Sequence, residues 1–454
     1  MSLVFTKKTN KVNDKITPDF VPMIRIVFWN SMGFFFFWFL IPFATTQLLA
    51  ATPTELGFSF AGQTFGGLIS APFVGYLSDK ISKKLLVLLG SFGRGAAYII
   101  LYFGIIISSL PVFIIGLFTL GFFVGLFWSP LDALVSQKSD KTYRSSAFGM
   151  EAGMIGRGNL VGSLLSFLIF GLATFLTPDN LFIVYTPLIL FAASNIYAGI
   201  IFMKKVDESL TYDDFIGINN EKEIVKERSN RQNSSSHDFN EKKNLRMHFG
   251  LFLGFIILIL AFLTSNINQT IGPPFYQRYL MDDLKIINGL IIMFIYFPSQ
   301  IISLLLAPRM GKFADKINPT IGIAVVSGLG SLVTYFIIIS TNGIEFSIFL
   351  LADSTFAWAG NLVLQNVLSR ISKDHRGKIF GSARWISFLG AIIGPIIGGF
   401  LYEYVAHTAP FFVSIFVELS VIPLYIFAIR LLRPYMAEKL EREIEKTIDI
   451  HYVE

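Results

Sequence analysis

Apolar runs long enough to cross a bilayer follow one another along this chain, separated by short polar turns. About 20 apolar residues span the hydrocarbon as a helix. By that measure the pattern predicts twelve helices, over 23–49, 58–79, 84–107, 110–134, 145–175 and 181–203, then 247–271, 286–308, 319–340, 345–370, 378–403 and 409–431. Between the two sets, Lys204 to Arg246 is rich in Glu, Lys, Asn and Ser, with SNRQNSSSHD at its centre, and reads as a solvated linker. The chain thus divides into a tail (1–22), a six-helix bundle (23–203), a linker (204–246), a second six-helix bundle (247–431) and a tail (432–454). The fold class expected is an all-α membrane protein.

Composition narrows this further. With 53% hydrophobic and 15% charged residues, the chain is no ordinary soluble protein, and its solvent is lipid. The net charge of +6 is spread over many short loops and not gathered into a groove, which predicts the lipid bilayer as partner and no nucleic acid. There is no cysteine, and the five histidines fall in loops, tails or helix ends, so no metal centre is expected. No cleavable leader pattern precedes the first run, which is expected to stay as a helix.

Lys and Arg gather in the loops after the second, fourth, eighth and tenth helices: Lys80/Lys83/Lys84, Lys138/Lys141/Arg144, Arg309/Lys312/Lys316 and Arg370/Lys373/Arg376/Lys378. The linker and both tails are basic as well. The positive-inside rule therefore predicts a multi-pass protein of the cell membrane with both termini and the linker in the cytoplasm. On the opposite side, only Gly272 to Lys285 carries basic residues. The halves also echo each other. Asp79 matches Asp315 at an offset of 236, and RSSAFG (Arg144 to Gly149) matches RGKIFG (Arg376 to Gly381) at an offset of 232. Two loops in register are the mark of a parallel internal repeat.

The turn GYLSDKISKK, Gly75 to Lys84, and its degraded copy GKFADKINPT, Gly311 to Thr320, resemble the signature loops of the major facilitator superfamily. Gly75, Leu77, Asp79, Lys80, Lys83 and Lys84 match the family pattern, and Ser82 replaces its second glycine. The resemblance implies two pseudo-symmetric six-helix bundles working by alternating access. It assigns Gly75, Asp79, Lys80, Lys83, Lys84, Arg144, Gly311, Asp315, Lys316 and Arg376 to a cytoplasmic gate, in which each aspartate faces the amino end of a helix in the other half, with Lys138 or Arg144 nearby on one side. The stretch GAIIGPIIGG, Gly390 to Gly399, is similar to a helix-5 pattern of the family's drug antiporters but stands in the eleventh helix; the fifth offers Gly158, Gly162 and Ser163.

The resemblance further implies a midplane cavity lined by the first, fourth, seventh and tenth helices. In the tenth, Ser354, Trp358, Asn361 and Gln365 fall on one side at spacings of four, three and four, and Asp353 lies beside them. Asn30 and Trp38 in the first helix, Trp128 in the fourth, and Asn266 and Gln269 in the seventh complete the candidate substrate set. Ionisable groups inside a membrane default to functional hypotheses. Asp353 and Glu151 are the candidates for proton coupling, with Glu151 expected to pair with Arg144; Glu418, Arg157 and Arg94 are further intramembrane charges.

These features predict a secondary transporter of a small organic solute, coupled to a proton gradient and acting as an efflux antiporter. A sugar or metabolite symporter or facilitator is the alternative, and a non-transporting receptor of the same fold is a third reading. No catalytic cluster and no G-x-x-x-x-G-K-[ST] loop is present, so neither an enzyme nor direct ATP drive is expected. A proton or sodium gradient takes the place of a cofactor, and the monomer is the expected working unit.

Overall fold

The computed structural model describes residues 15–78, 80–140, 143–215, 249–316, 319–371 and 376–432. Helices dominate: α1 (Phe20–Gln47), α2 (Pro53–Ser78), α3 (Lys83–Ile106), α4 (Leu110–Gln137), α5 (Arg144–Leu176), α6 (Thr186–Lys205), α7 (Phe249–Ile271), α8 (Gly289–Lys316), α9 (Pro319–Ile339), α10 (Gly343–Ile371), α11 (Arg376–Tyr404) and α12 (Ala409–Leu432). Among the described residues, nine of these are apolar and long enough to cross a membrane. The other three, α2, α8 and α10, are 26, 28 and 29 residues long.

The structure departs from the sequence reading at three places. The first apolar run is not one helix: α1 breaks into Phe20–Asn30 and Phe34–Gln47. A Cβ at Gly33 would stand 2.8 Å from the Phe191 ring of α6, so the break is packed where only glycine fits. The stretch Gly272 to Lys285 is not an exposed loop either. It continues α7 through a 3₁₀ turn, Pro273–Phe275, into a further helix, Tyr276–Asp282, with Tyr276, Gln277, Tyr279, Leu280 and Met281 buried. Finally, α8 runs on to Lys316 beyond its expected end at 308, so Gly311 and Asp315 lie within its last turns and not in a loop.

Glycines set the helix packing. A Cβ at Gly158 or Gly162 of α5 would overlap the carbonyls of Phe28 and Met32, so α5 lies directly on the broken part of α1. In α11, Gly390, Gly394 and Gly398 recur every four residues against α7, while Pro395 and Gly399 meet Gly57 and Pro53 of α2. The GAIIGPIIGG stretch thus seats one helix between two others.

One face carries the start of the described chain, the end of α6 and the start of α7; it is called the linker face, and its opposite the far face. Toward the far face a single apolar core draws on both halves, from Phe36, Phe39 and Tyr98 to Tyr276, Ile292 and Tyr402. Toward the linker face the core divides. One cluster, around Phe20, Phe127 and Leu131, belongs only to the first half, and another, around Leu258, Phe262 and Tyr425, only to the second. At this end Phe73, Tyr76 and Trp385 are exposed, and Cβ atoms added at Gly75, Gly149, Gly153 or Gly156 would meet nothing within 4 Å. Among the described residues, therefore, the halves share a core at the far face and none at the linker face.

Candidate functional site

Four of the expected substrate residues meet where the halves face each other. Trp358 of α10 is 38% exposed, and its ring centroid lies 6.3 Å from that of Phe35 in α1, a contact across the halves. On the same face, Asn361 Oδ1 accepts a hydrogen bond of 3.2 Å from Gln269 Nε2 of α7. Trp38 of α1 is also substantially exposed, with its ring 5.5 Å from Phe60 of α2. Flat aromatic surfaces and side-chain amides form a mixed wall of the kind that holds organic solutes. Gln365 lies further along α10, and its side chain falls outside the described residues.

Asp353 stands behind this wall, inside the second bundle. Its carboxylate accepts from the Tyr276 hydroxyl at 3.5 Å, and the Thr334 hydroxyl of α9 lies beside it. Glu418 of α12 is the charged neighbour of Asp353; Asn268 hydrogen-bonds its carboxyl, and Ser414 Oγ in turn donates to Asn268 Oδ1 at 2.8 Å. A Cβ at residue 330 would come within 2.5 Å of Glu418 Oε1, so Gly330 makes the room this carboxyl occupies. The Tyr296 hydroxyl, which also senses the Asp353 charge, is buried without a hydrogen-bond partner. Among the described residues no ion pair involves either acid. The sequence reading missed Tyr276 and Tyr296: the first sits in a stretch that reads as loop, and the second in an apolar run where one tyrosine carries no signal.

Other expected site residues lie elsewhere. Asn30 does not line the opening. It is 1% exposed inside the first bundle, where its Oδ1 faces Ser91 and Arg94 and its backbone carbonyl accepts from Arg94 Nη2 at 2.6 Å. Asn30 is the last residue of the first α1 piece, so its carbonyl is one of the acceptors a helix end leaves open, and the buried Arg94 guanidinium fills it. The guanidinium also rests 5.3 Å from the Phe127 ring. Trp128 packs edge-on against Phe127 at the linker-face core. Asn266 points at α11, with its Cβ 2.6 Å from where a Gly390 Cβ would be.

Glu151 is buried, but not in an ion pair with Arg144. Its Oε1 has no hydrogen-bond partner, its charged neighbour is Asp132, and Arg144 donates instead to the Ser136 carbonyl at 3.3 Å. Lys138 is likewise unavailable to Asp79. It is 1% exposed and bonds Asp19 at 2.8 Å, together with the carbonyls of Asp207 and Leu210. Ile16 bridges to Ser139, so the start of the described chain, the α4–α5 turn and the residues after α6 are tied into one clasp.

Among the gate residues, Asp79 lies outside the described residues, as do the side chains of Gly311, Asp315, Lys316 and Arg376. Lys80 bonds the Tyr76 hydroxyl and sits over its ring. The backbone N–H groups of Lys83 and Lys84 donate to Glu208 at 2.7 and 3.1 Å, and Ser82, the N-cap of α3, bonds the same carboxylate. Partial burial works against the charged form of Glu208, but the bonds from Ser82, Lys83 and Lys84 and the Lys83 charge outweigh it, holding this carboxyl below its ordinary range.

Comparison with known proteins follows the same lines. A family model described as the Major Facilitator Superfamily matches residues 25–352 and, overlapping, 254–448. The multidrug resistance protein MdtG of Proteus mirabilis is 25% identical over 374 residues, covering 78% of this chain and 81% of its own length. A homologue of the multi-drug resistance efflux pump PmrA from Lactococcus lactis is 24% identical over 382 residues, covering 81% and 83%. Among solved structures, the nucleoside transporter NupG superposes with a TM-score of 0.60 at 13% identity, covering 92% of this chain and 99% of its own. A peptide transporter POT superposes with a TM-score of 0.60 at 14% identity, covering 92% and 95%. At these identities the structures speak for the fold alone.

Proposed function

Since the chain belongs to the major facilitator superfamily, we propose that it exports a small organic solute across the cell membrane by alternating access, drawing on the proton gradient. A member of this family is a multi-pass membrane transporter and not an enzyme. The linker face is the cytoplasmic one in this reading, because the basic loops gather there. Solute enters from the linker face and meets Trp358, Phe35, Gln269 and Asn361. Export is the direction in the name of one relative, the multi-drug resistance efflux pump PmrA homologue.

The observation that carries the coupling half of the proposal is the pair of acids, Asp353 and Glu418, enclosed by hydroxyls and amides with no cation beside them among the described residues. A carboxyl in such a place is held by no fixed charge, and gaining or losing a proton there changes what the surrounding helices can do. The test uses the full chain reconstituted in vesicles, with a panel of uncharged and weakly charged organic compounds and a pH-sensitive dye inside. Compound-dependent proton movement is the expected result. Flux indifferent to pH would make the protein a facilitator, and no flux of any compound would remove the transport reading.

A further inference from the structure

The first turn of α2 is almost self-sufficient. Thr52 N–H donates to Glu55 Oε2 at 2.8 Å, and Glu55 N–H donates back to Thr52 Oγ1 at 3.2 Å, the reciprocal arrangement of a capping box. Leu56 N–H reaches the Thr52 carbonyl, and Pro53 has no N–H to satisfy. That leaves one donor, Thr54 N–H, and its acceptor comes from the other half of the molecule: Glu403 Oε2, at 2.9 Å, from the penultimate residue of α11. The close approach is built in, because a Cβ at Gly399, one turn before Glu403, would stand 2.7 Å from the Pro53 carbonyl. Beside it, Arg278 of the α7 extension donates to the Ala51 carbonyl and pairs with Asp282 at 3.2 Å. The turn these groups grip holds Ala50 in the left-handed region, with φ of 47°.

We propose that Glu403 is a far-face latch, which closes this end by lending a carboxylate to the amino end of α2 and must let go before the end can open. The proposal rests on the alternating-access reading above. A carboxylate at a helix amino terminus is favoured by both the open N–H and the dipole, and here the benefit exists only while the halves touch. The arrangement is also reciprocal to the expected gate of the linker face. There Asp79, at the end of α2, is expected to serve the start of α11; here Glu403, at the end of α11, serves the start of α2. The same two helices would thus carry one acid each, at opposite faces, engaged in alternate states.

The chain has no cysteine, so introduced pairs can report distance without a background. Spin labels at Asp179→Cys and Ile344→Cys read the far face, and labels at Ser146→Cys and Arg430→Cys read the linker face; all four positions are exposed. Glu403→Ala removes the acceptor, Thr54→Pro removes the donor, and Glu403→Gln keeps an acceptor without its charge. The expected result is a rise of about five- to tenfold in the far-face-open population for Glu403→Ala and for Thr54→Pro, less for Glu403→Gln, and no further rise in the double variant. The linker-face distance must shorten as the far-face distance grows; a variant that merely unfolds lengthens both, and Glu403→Gln then decides the matter against the wild type. Unchanged populations, or additive effects of the two single removals, overturn the latch. The distances need no solute, so a failure of the transport assay leaves this test standing, and the reverse holds too.

Discussion

At the scale of single side chains, Asp353 and Trp358 do different work and can be separated. Asp353→Asn is expected to lower pH-driven accumulation by more than about tenfold while leaving exchange down a solute gradient within about twofold, because the wall formed by Trp358, Gln269 and Asn361 is untouched. Parallel uptake and exchange assays on vesicles check this; a variant that still accumulates solute in response to pH acquits Asp353. Trp358→Ala should do the reverse, weakening solute binding while sparing the proton response. These residues were legible because polar groups at spacings of three and four in an apolar helix must face protein or water. Glu418 was legible as a charge but not as a neighbour of Asp353, since α10 and α12 are brought near each other only by packing on α9 in the folded bundle. Tyr276 was hidden by its setting: PPFYQRYLMDDLK has the prolines and charges of a loop, and its burial comes from tertiary packing.

At the scale of elements, the break in α1 and the clasp at the linker face carry the most testable energetics. Removing Arg94 leaves the Asn30 carbonyl buried without its partner, so Arg94→Met is expected to cost about 2–3 kcal/mol, read as a loss of thermal stability in detergent. Asp19→Ala strands the buried Lys138 charge and should cost about 3 kcal/mol, whereas adding Lys138→Met should recover much of it. Glu208 behaves differently because it is largely solvated; Glu208→Gln should cost only about 0.5 kcal/mol. Its carboxyl is held below the ordinary glutamate range, so its contribution is full at neutral pH. That contribution is lost only as falling pH takes the carboxyl through its lowered value, which protection of the Lys83 and Lys84 amides from hydrogen exchange would follow. None of this could be read from the chain. FFFFWF at Phe34 to Phe39 is apolar without interruption, and the bend before it is imposed by Phe191 and Arg94 from helices far along the sequence.

At the scale of the whole molecule, the twofold plan was legible because Asp79 with Asp315 and Arg144 with Arg376 keep register between the halves. Which face is closed was not, because one sequence must serve both states. The structure answers through contacts such as Gly57 on the Pro395 carbonyl, where any side chain collides with backbone. Gly57→Val is therefore expected to move the population toward the far-face-open state, with the two label pairs described above changing in opposite senses. The far-face seal also has an outward-looking side. Thr52, Asp282 and Glu403 come from separate halves yet sit together there, so their combined surface exists only while the halves touch. An antibody fragment raised against that composite epitope would recognise the conformation and not the chain: it would bind the resting molecule, hold it shut, and block turnover without competing with solute.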